Sequence, residues 1–155
     1  MNHNIEEYMH AYLGQLKATE MWLHAAHHVT KGPGFISDHR DLYGVMYTKI
    51  GDHFDLLVEK SIGLSGDESV ACPLRLSLSA SHILNKRYMS PVNKPAYQIV
   101  KEAIGCLSDQ MNALSSLYQT FEKSGYMTLG MEDALTSMAN EYEGYLYFLG
   151  QRYKN

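Results

Sequence analysis

Residues 24–39 read HAAHHVTKGPGFISDH, a histidine-rich segment followed by a glycine-proline turn and a further histidine. Glycine adopts positive φ, and proline cannot continue the hydrogen-bond ladder of a helix, so KGPG at 31–34 predicts that one helix stops and another begins. Five of the eight histidines fall between residues 24 and 59, namely His24, His27, His28, His39 and His53. Carboxylates follow at 52, 55 and 59, and imidazole with carboxylate is a ligand set for iron or zinc.

Outward from this stretch, apolar residues recur with the period of an α-helix over most of the chain. We expect four long helices, with Ser37 as the N-cap of the second and Asn93 as the N-cap of the third. The connection at 65–93 is too long for a structureless loop in a compact domain, so we place a short helix within it. The predicted helices span about 4–30, 38–63, 94–124 and 128–152, with the short helix within 73–85.

Signals for β-strands are nearly absent, and helices joined by a short, a long and a short connection match the ferritin-like bundle. Other all-α folds also accept this pattern. A chain of 155 residues with 45% hydrophobic content is long enough for one sizeable core and too short for two. We therefore expect a single all-α domain over 1–155, a ferritin-like four-helix bundle with a long crossover connection.

Composition excludes several classes of function. A net charge of −4 and a pI near 6.0 disfavour a surface built to neutralise phosphates. Cys72 and Cys106 lack the spacing of a zinc knuckle or a disulfide framework, so we expect reduced, buried thiols. No signal peptide or membrane-spanning run is present, which predicts a cytoplasmic protein with no membrane partner.

Helical spacing brings the metal-ligating side chains together. His24 shares one face with His27 and His28, although histidines at a helix end are also commonly solvated there. Asp55 and Glu59 are four residues apart, which is equally typical of a solvated face. Because Asp55 stands among apolar neighbours, we expect its surroundings to be partly apolar, and a carboxylate there favours a bound cation.

The run from His27 through Gly32 and Phe35 to His39, followed by Asp55 and Glu59, resembles the motif of the Dps-type mini-ferritins. This resemblance implies a ferroxidase site between two subunits, with His27 and His39 from one chain and Asp55 and Glu59 from the other. Glu59 would bridge two irons and Asp55 would be a terminal ligand. It also implies a shell, typically of twelve subunits, that oxidises Fe(II) with hydrogen peroxide or dioxygen and stores the ferric mineral. The ligand types themselves leave zinc as a possible substitute for iron.

The sequence departs from that motif in three ways that bear on the expected metal ligands and on DNA binding. The interval from His39 to Asp55 is one residue longer, which on a regular helix rotates the partners by about 100°. Either a wider turn or π-bulge before Tyr47 absorbs it, or His39 does not coordinate. His28 stands where the family commonly has tryptophan, and His24 is a candidate auxiliary ligand. A basic N-terminal tail is absent, so we expect no tight DNA binding.

Two alternatives to an iron-oxidising mini-ferritin remain open from sequence. One is a shell protein of the same fold that has lost turnover and binds zinc through His24, His27 and His28. The other is a helical structural or interaction protein whose acidic and histidine-rich faces are solvated. Hydrolases, P-loop enzymes and H-E-x-x-H proteases have no support, because their motifs do not occur.

Overall fold

The computed structural model describes residues 3–154, so both ends of the predicted domain, residues 1, 2 and 155, lie outside the described residues. These residues are all-helical and contain no strand. Four long helices form the bundle and a fifth crosses between the second and third of them, as the sequence predicts. The long helices are α1 (His3–Val29), α3 (Gly44–Ser65), α5 (Ala96–Ser124) and α6 (Leu129–Tyr153), and the crossover helix is α4 (Pro73–Lys86).

Shorter helical segments complete the connections. A single α-helical turn, α2 (Phe35–Ser37), continues directly into a π-helical segment, Asp38–Tyr43, which itself leads into α3. A 3₁₀ turn, Glu68–Ala71, precedes α4. The second bundle helix is thus a composite that begins at Phe35, before the predicted start at 38.

Two predicted N-caps are wrong, while other helix ends agree with the sequence. Ser37 lies inside the composite helix and makes no capping hydrogen bond, because the chain already turns helical at Phe35. Asn93 adopts a left-handed φ of 63° in the loop, and α5 begins after Pro95. Thr128 does cap α6 by accepting a hydrogen bond from the Met131 amide at 3.0 Å. Gly66 and Gly125 end α3 and α5 at φ of 73° and 76°.

One hydrophobic cluster runs through the bundle. α1 lies at its centre, packing against α3, α4 and α5, while α6 packs against α5 and α3. Apolar residues at helical spacing on α1 supply the inner face, among them Ile5, Met9, Leu13, Leu16 and Leu23. The indole of Trp22 donates to the Met89 carbonyl at 2.6 Å, which ties the end of the crossover connection to α1. None of the described helices has a run long and apolar enough to span a lipid bilayer.

Candidate metal centre

The centre of the site is a pair of histidines from different elements. His27 lies in the last turn of α1, and His39 lies in the π-helical segment, twelve residues later. Their imidazoles stack at a centroid distance of 3.7 Å and an interplanar angle of 17°. Each ring bonds to the backbone of the other residue, with His27 Nδ1 at 2.5 Å from the His39 carbonyl oxygen and His39 Nδ1 at 2.6 Å from that of His27. Both rings are half-buried.

These reciprocal hydrogen bonds determine the tautomer of both rings. A carbonyl oxygen only accepts, so Nδ1 must carry the proton in each ring and donate it. The lone pair of each neutral imidazole then resides on Nε2. A histidine whose Nδ1–H is held by a carbonyl is the usual arrangement of a metal-ligating imidazole, because orientation and basicity are set in advance. Each ring therefore keeps Nε2 as a potential metal ligand.

Gly44 and the π-helical segment make this arrangement possible. The Gly44 amide donates to the His39 carbonyl across five residues, which is the hydrogen bond of a π-turn. A Cβ on Gly44 would lie 2.8 Å from that carbonyl oxygen and 3.3 Å from His27 Nδ1, so a side chain would collide with the acceptor and crowd the ring. The structure thus contains the wider turn before Tyr47 that the longer interval from His39 to Asp55 had offered as one explanation.

The π-helical segment is held from the far end of the chain. Arg152 on α6 forms a bidentate ion pair with Asp38, with both N···O distances at 2.9 Å. Asp38 is only 2% exposed. The Phe35 ring also stacks on the His39 ring, with the two ring centroids 5.0 Å apart. No local sequence signal predicts the contact between Asp38 and Arg152, because the two residues are 114 positions apart.

The candidate carboxylates lie on α3, apart from the histidines. Asp52 lines a groove of about 500 Å³ together with His27, His39 and Gly44. Asp55 and Glu59 do not line it, and both are exposed on the surface of the chain. Within the described residues the Asp55 side chain is thus open to solvent, while its neighbours Phe54 and Leu57 are buried. Within residues 3–154, no three His, Cys, Asp or Glu side chains are grouped to hold a metal ion.

The other histidines of the window divide between surface and core. His24 and His28 are exposed, and His24 stacks on Tyr47 at 4.2 Å. His53 faces the core, so its grouping with the ligand set from sequence is corrected. Its Nδ1 lies 2.6 Å from the Tyr142 hydroxyl and its Nε2 lies 3.4 Å from a Glu141 carboxylate oxygen. Burial lowers the pKa of His53, which favours its neutral form.

The two cysteines also differ from expectation. Both are free thiols, but Cys72 is exposed and only Cys106 is buried. Burial raises the pKa of the Cys106 thiol to about 12, with Glu102 and Asp109 acting in the same direction. A thiol with so high a pKa is protonated at neutral pH and is a poor nucleophile.

Comparison with solved structures identifies the fold. The chain superposes on a Dps protein from Bacillus brevis with a TM-score of 0.80 at 17% sequence identity, covering 99% of this chain and 100% of that one. It superposes on Dps from Thermosynechococcus elongatus with a TM-score of 0.76 at 20% identity, covering 98% of this chain and 94% of that one. No family model and no curated protein matches the chain. Over nearly its whole length, therefore, the chain has the fold of the Dps proteins, and the predicted ferritin-like architecture is confirmed.

Proposed function

We propose that this chain, which has the Dps fold, is a mini-ferritin that oxidises ferrous iron at a site shared by two copies and stores the ferric product inside a shell. The observation that carries the proposal is the reciprocal pairing of His27 and His39, which engages both Nδ1 atoms and leaves both Nε2 atoms available as metal ligands. His27 and His39 would come from one chain, and Asp55 and Glu59 from a second. Glu59 is the candidate bridging ligand and Asp55 the terminal one.

The exposure of the two carboxylates supports a shared site. Asp55 and Glu59 stand one helical turn apart on α3, and among the described residues neither side chain has a hydrogen bond or an ion pair. Two adjacent carboxylates without a counter-charge form a surface that attracts cations. A second copy placed over the groove can supply these oxygens to the histidine pair, for which residues 3–154 of the same chain offer no third ligand.

Exposed apolar residues support self-association, for which the candidate assembly is a dodecamer. On the outer side of α4, Leu74 is 68% exposed and Leu78 is 64% exposed, one turn apart. Neighbouring exposed leucines on one helix face are the kind of surface that a protein interface buries. In solution we expect a particle of about twelve times the 17.6 kDa chain mass.

Iron is the substrate in this proposal. Two ferrous ions each release one electron, and one hydrogen peroxide takes up two electrons and two protons to give two waters. Dioxygen in place of peroxide takes two electrons and two protons to give hydrogen peroxide first. Carboxylate ligands stabilise the ferric product more than the ferrous substrate, because the Coulomb attraction grows with the charge of the cation. Imidazole and carboxylate both suit iron, and a low ligand count leaves positions open for the oxidant.

Oxidation kinetics test the proposal. Purified protein is mixed with ferrous salt and hydrogen peroxide, and the ferric product is followed by absorbance. We expect oxidation well above the rate in buffer, reduced to the buffer rate in Glu59→Ala with the assembled particle intact. Glu122→Ala, an exposed glutamate on α5, is the matched control and should keep the wild-type rate. Wild-type rates in Glu59→Ala would reject the assignment of that residue.

Two outcomes would favour the alternatives. A particle that binds zinc but does not accelerate iron oxidation would indicate a shell protein without turnover. A monomer on size-exclusion chromatography would favour a helical interaction protein. A cytoplasmic location and the absence of tight DNA binding stay predictions, the latter testable by titration with duplex DNA at physiological salt.

A further inference from the structure

The histidines at the end of α1 form two separate pairs. His27 is committed to His39 through stacking and the carbonyl hydrogen bond. His24 and His28 form a second pair on the exposed side of the same helix, with ring centroids 4.6 Å apart and an interplanar angle of 37°. Within the described residues, neither of these two imidazoles has a hydrogen bond or an ion pair. Their nitrogens are therefore available to a ligand.

We propose that His24 and His28 form a second metal site, distinct from the His27–His39 centre, that binds a zinc ion. Two imidazoles that bind one zinc ion at about 2.0–2.1 Å hold their ring centroids roughly 4.5 to 5.2 Å apart for ligand angles of about 90° to 110°. The observed separation of 4.6 Å lies in this range. The rings are already as close as coordination of a common cation requires.

Tyr47 pre-positions the pair. The His24 imidazole lies almost parallel to the Tyr47 ring, at a centroid distance of 4.2 Å and an angle of 19°. Tyr47 is half-buried and packs against the hydrophobic cluster, so it provides a fixed surface on α3 for a ring on α1. A side chain held in place before binding loses less conformational entropy when the metal arrives.

The donor set selects the class of metal. Two imidazole nitrogens without a carboxylate suit zinc and copper(II), whereas a site with carboxylates suits iron better. Water would complete the zinc coordination, as it does wherever the protein leaves a position open. The site lies next to the His27–His39 pair. The centroid of the His27 ring is 5.2 Å from that of His28 and 6.2 Å from that of His24.

Zinc titration of the full chain in its native assembly tests this inference. Metal-free protein is titrated with zinc sulfate by calorimetry, and the number of ions bound per chain is compared among variants. We expect His24→Gln and His28→Gln each to bind one zinc fewer per chain than wild type. His82→Gln, an exposed histidine on α4, is the control and should keep the full number. An unchanged number and affinity in both His24→Gln and His28→Gln would overturn the site.

A second measurement uses the unmodified sequence. Diethyl pyrocarbonate carbethoxylates free imidazoles, and peptide mass spectrometry reports each histidine separately. Zinc should protect His24 and His28 together, and equal modification of both with and without zinc would overturn the inference. The test is independent of the proposed function. If only the His24 and His28 variants bind fewer zinc ions, the zinc site stands. If the same protein does not accelerate iron oxidation, the ferroxidase proposal is rejected while the zinc site remains.

Discussion

The guanidinium of Arg152, the penultimate residue of α6, forms a bidentate ion pair with the buried carboxylate of Asp38. Asp38 directly precedes the candidate metal ligand His39. The pair joins positions 114 residues apart in sequence. It raises the pKa of Arg152, chiefly through the hydrogen bond to Asp38. The last helix thereby determines where the π-helical segment lies, and with it the ring of His39.

Removing this guanidinium should destabilise the protein and loosen the site. Arg152→Leu leaves Asp38 buried without a partner, which costs about 3 kcal/mol of unfolding free energy, measurable by urea denaturation. Arg152→Lys should recover only part of this, because an ammonium cannot make the bidentate contact. Arg40→Leu is the matched control, since Arg40 pairs with Asp41 at the surface, and its unfolding curve should overlay that of wild type. Equal stability of Arg152→Leu and wild type would show that the ion pair does not hold the segment.

A methyl group at Gly44 should disrupt the histidine pair. The added Cβ would meet the His39 carbonyl at 2.8 Å, so either the π-turn or the His27 ring must move. We expect Gly44→Ala to lose about 1–3 kcal/mol of stability and to oxidise iron more slowly than wild type. Gly63→Ala on α3 is the control, because nothing lies within 4 Å of its Cβ. It should gain about 0.5–1 kcal/mol from helix propensity. Wild-type oxidation by Gly44→Ala would contradict the proposed role of the reciprocal bonds.

Mixed assemblies can establish whether the ligands come from two chains. A His27→Gln chain and a Glu59→Ala chain should each be inactive alone. In a mixed dimer, one site combines both defects, while the other combines intact His27 from the second chain with intact Glu59 from the first. If the site lies on the proposed two-fold interface, random co-assembly of equal amounts should therefore restore about a quarter of the wild-type sites. Iron oxidation after co-expression measures this, and no recovery above either parent would place all ligands in one chain.

The core histidine predicts a pH dependence of stability. Burial lowers the pKa of His53 and Lys49 acts in the same direction, while Glu141 and Asp52 oppose them. In the unfolded chain His53 has its ordinary pKa of about 6.5 and binds a proton before the folded state does. The free energy of unfolding should therefore fall as the pH is lowered through about 6.5, and level off below the folded-state pKa.

Variants at His53 isolate this contribution. His53→Gln can still accept a hydrogen bond from Tyr142 but cannot titrate, so its unfolding free energy should vary less between about pH 7.5 and 5.5. His82→Gln, which removes an exposed histidine, should keep the wild-type slope. Urea denaturation across this range provides the measurement, and identical slopes in His53→Gln and wild type would assign the pH dependence to other groups.

Local information in the sequence determined the helices and most of their ends. The period of the apolar residues identifies which face of each helix is buried, and Gly66, Gly125 and Thr128 act through the backbone next to them. The π-helical segment was one of two explanations offered by the sequence. One extra residue between His39 and Asp55 would rotate these side chains relative to each other on a regular helix, and a wider turn can absorb that rotation. Ser37 and Asn93 failed as caps because the actual ends depend on how the flanking turns pack.

The contacts between side chains of different helical segments depend on the tertiary structure. Each of the decisive contacts joins residues from different helical segments. They are the hydrogen bonds between His27 and His39, the Arg152–Asp38 ion pair and the contact of His53 with Tyr142. A residue type and its spacing specify a face of one helix, whereas these contacts depend on how that helix is placed against others. For the same reason, a list of five nearby histidines could not be divided by sequence into a core residue, a tethered pair and an exposed pair.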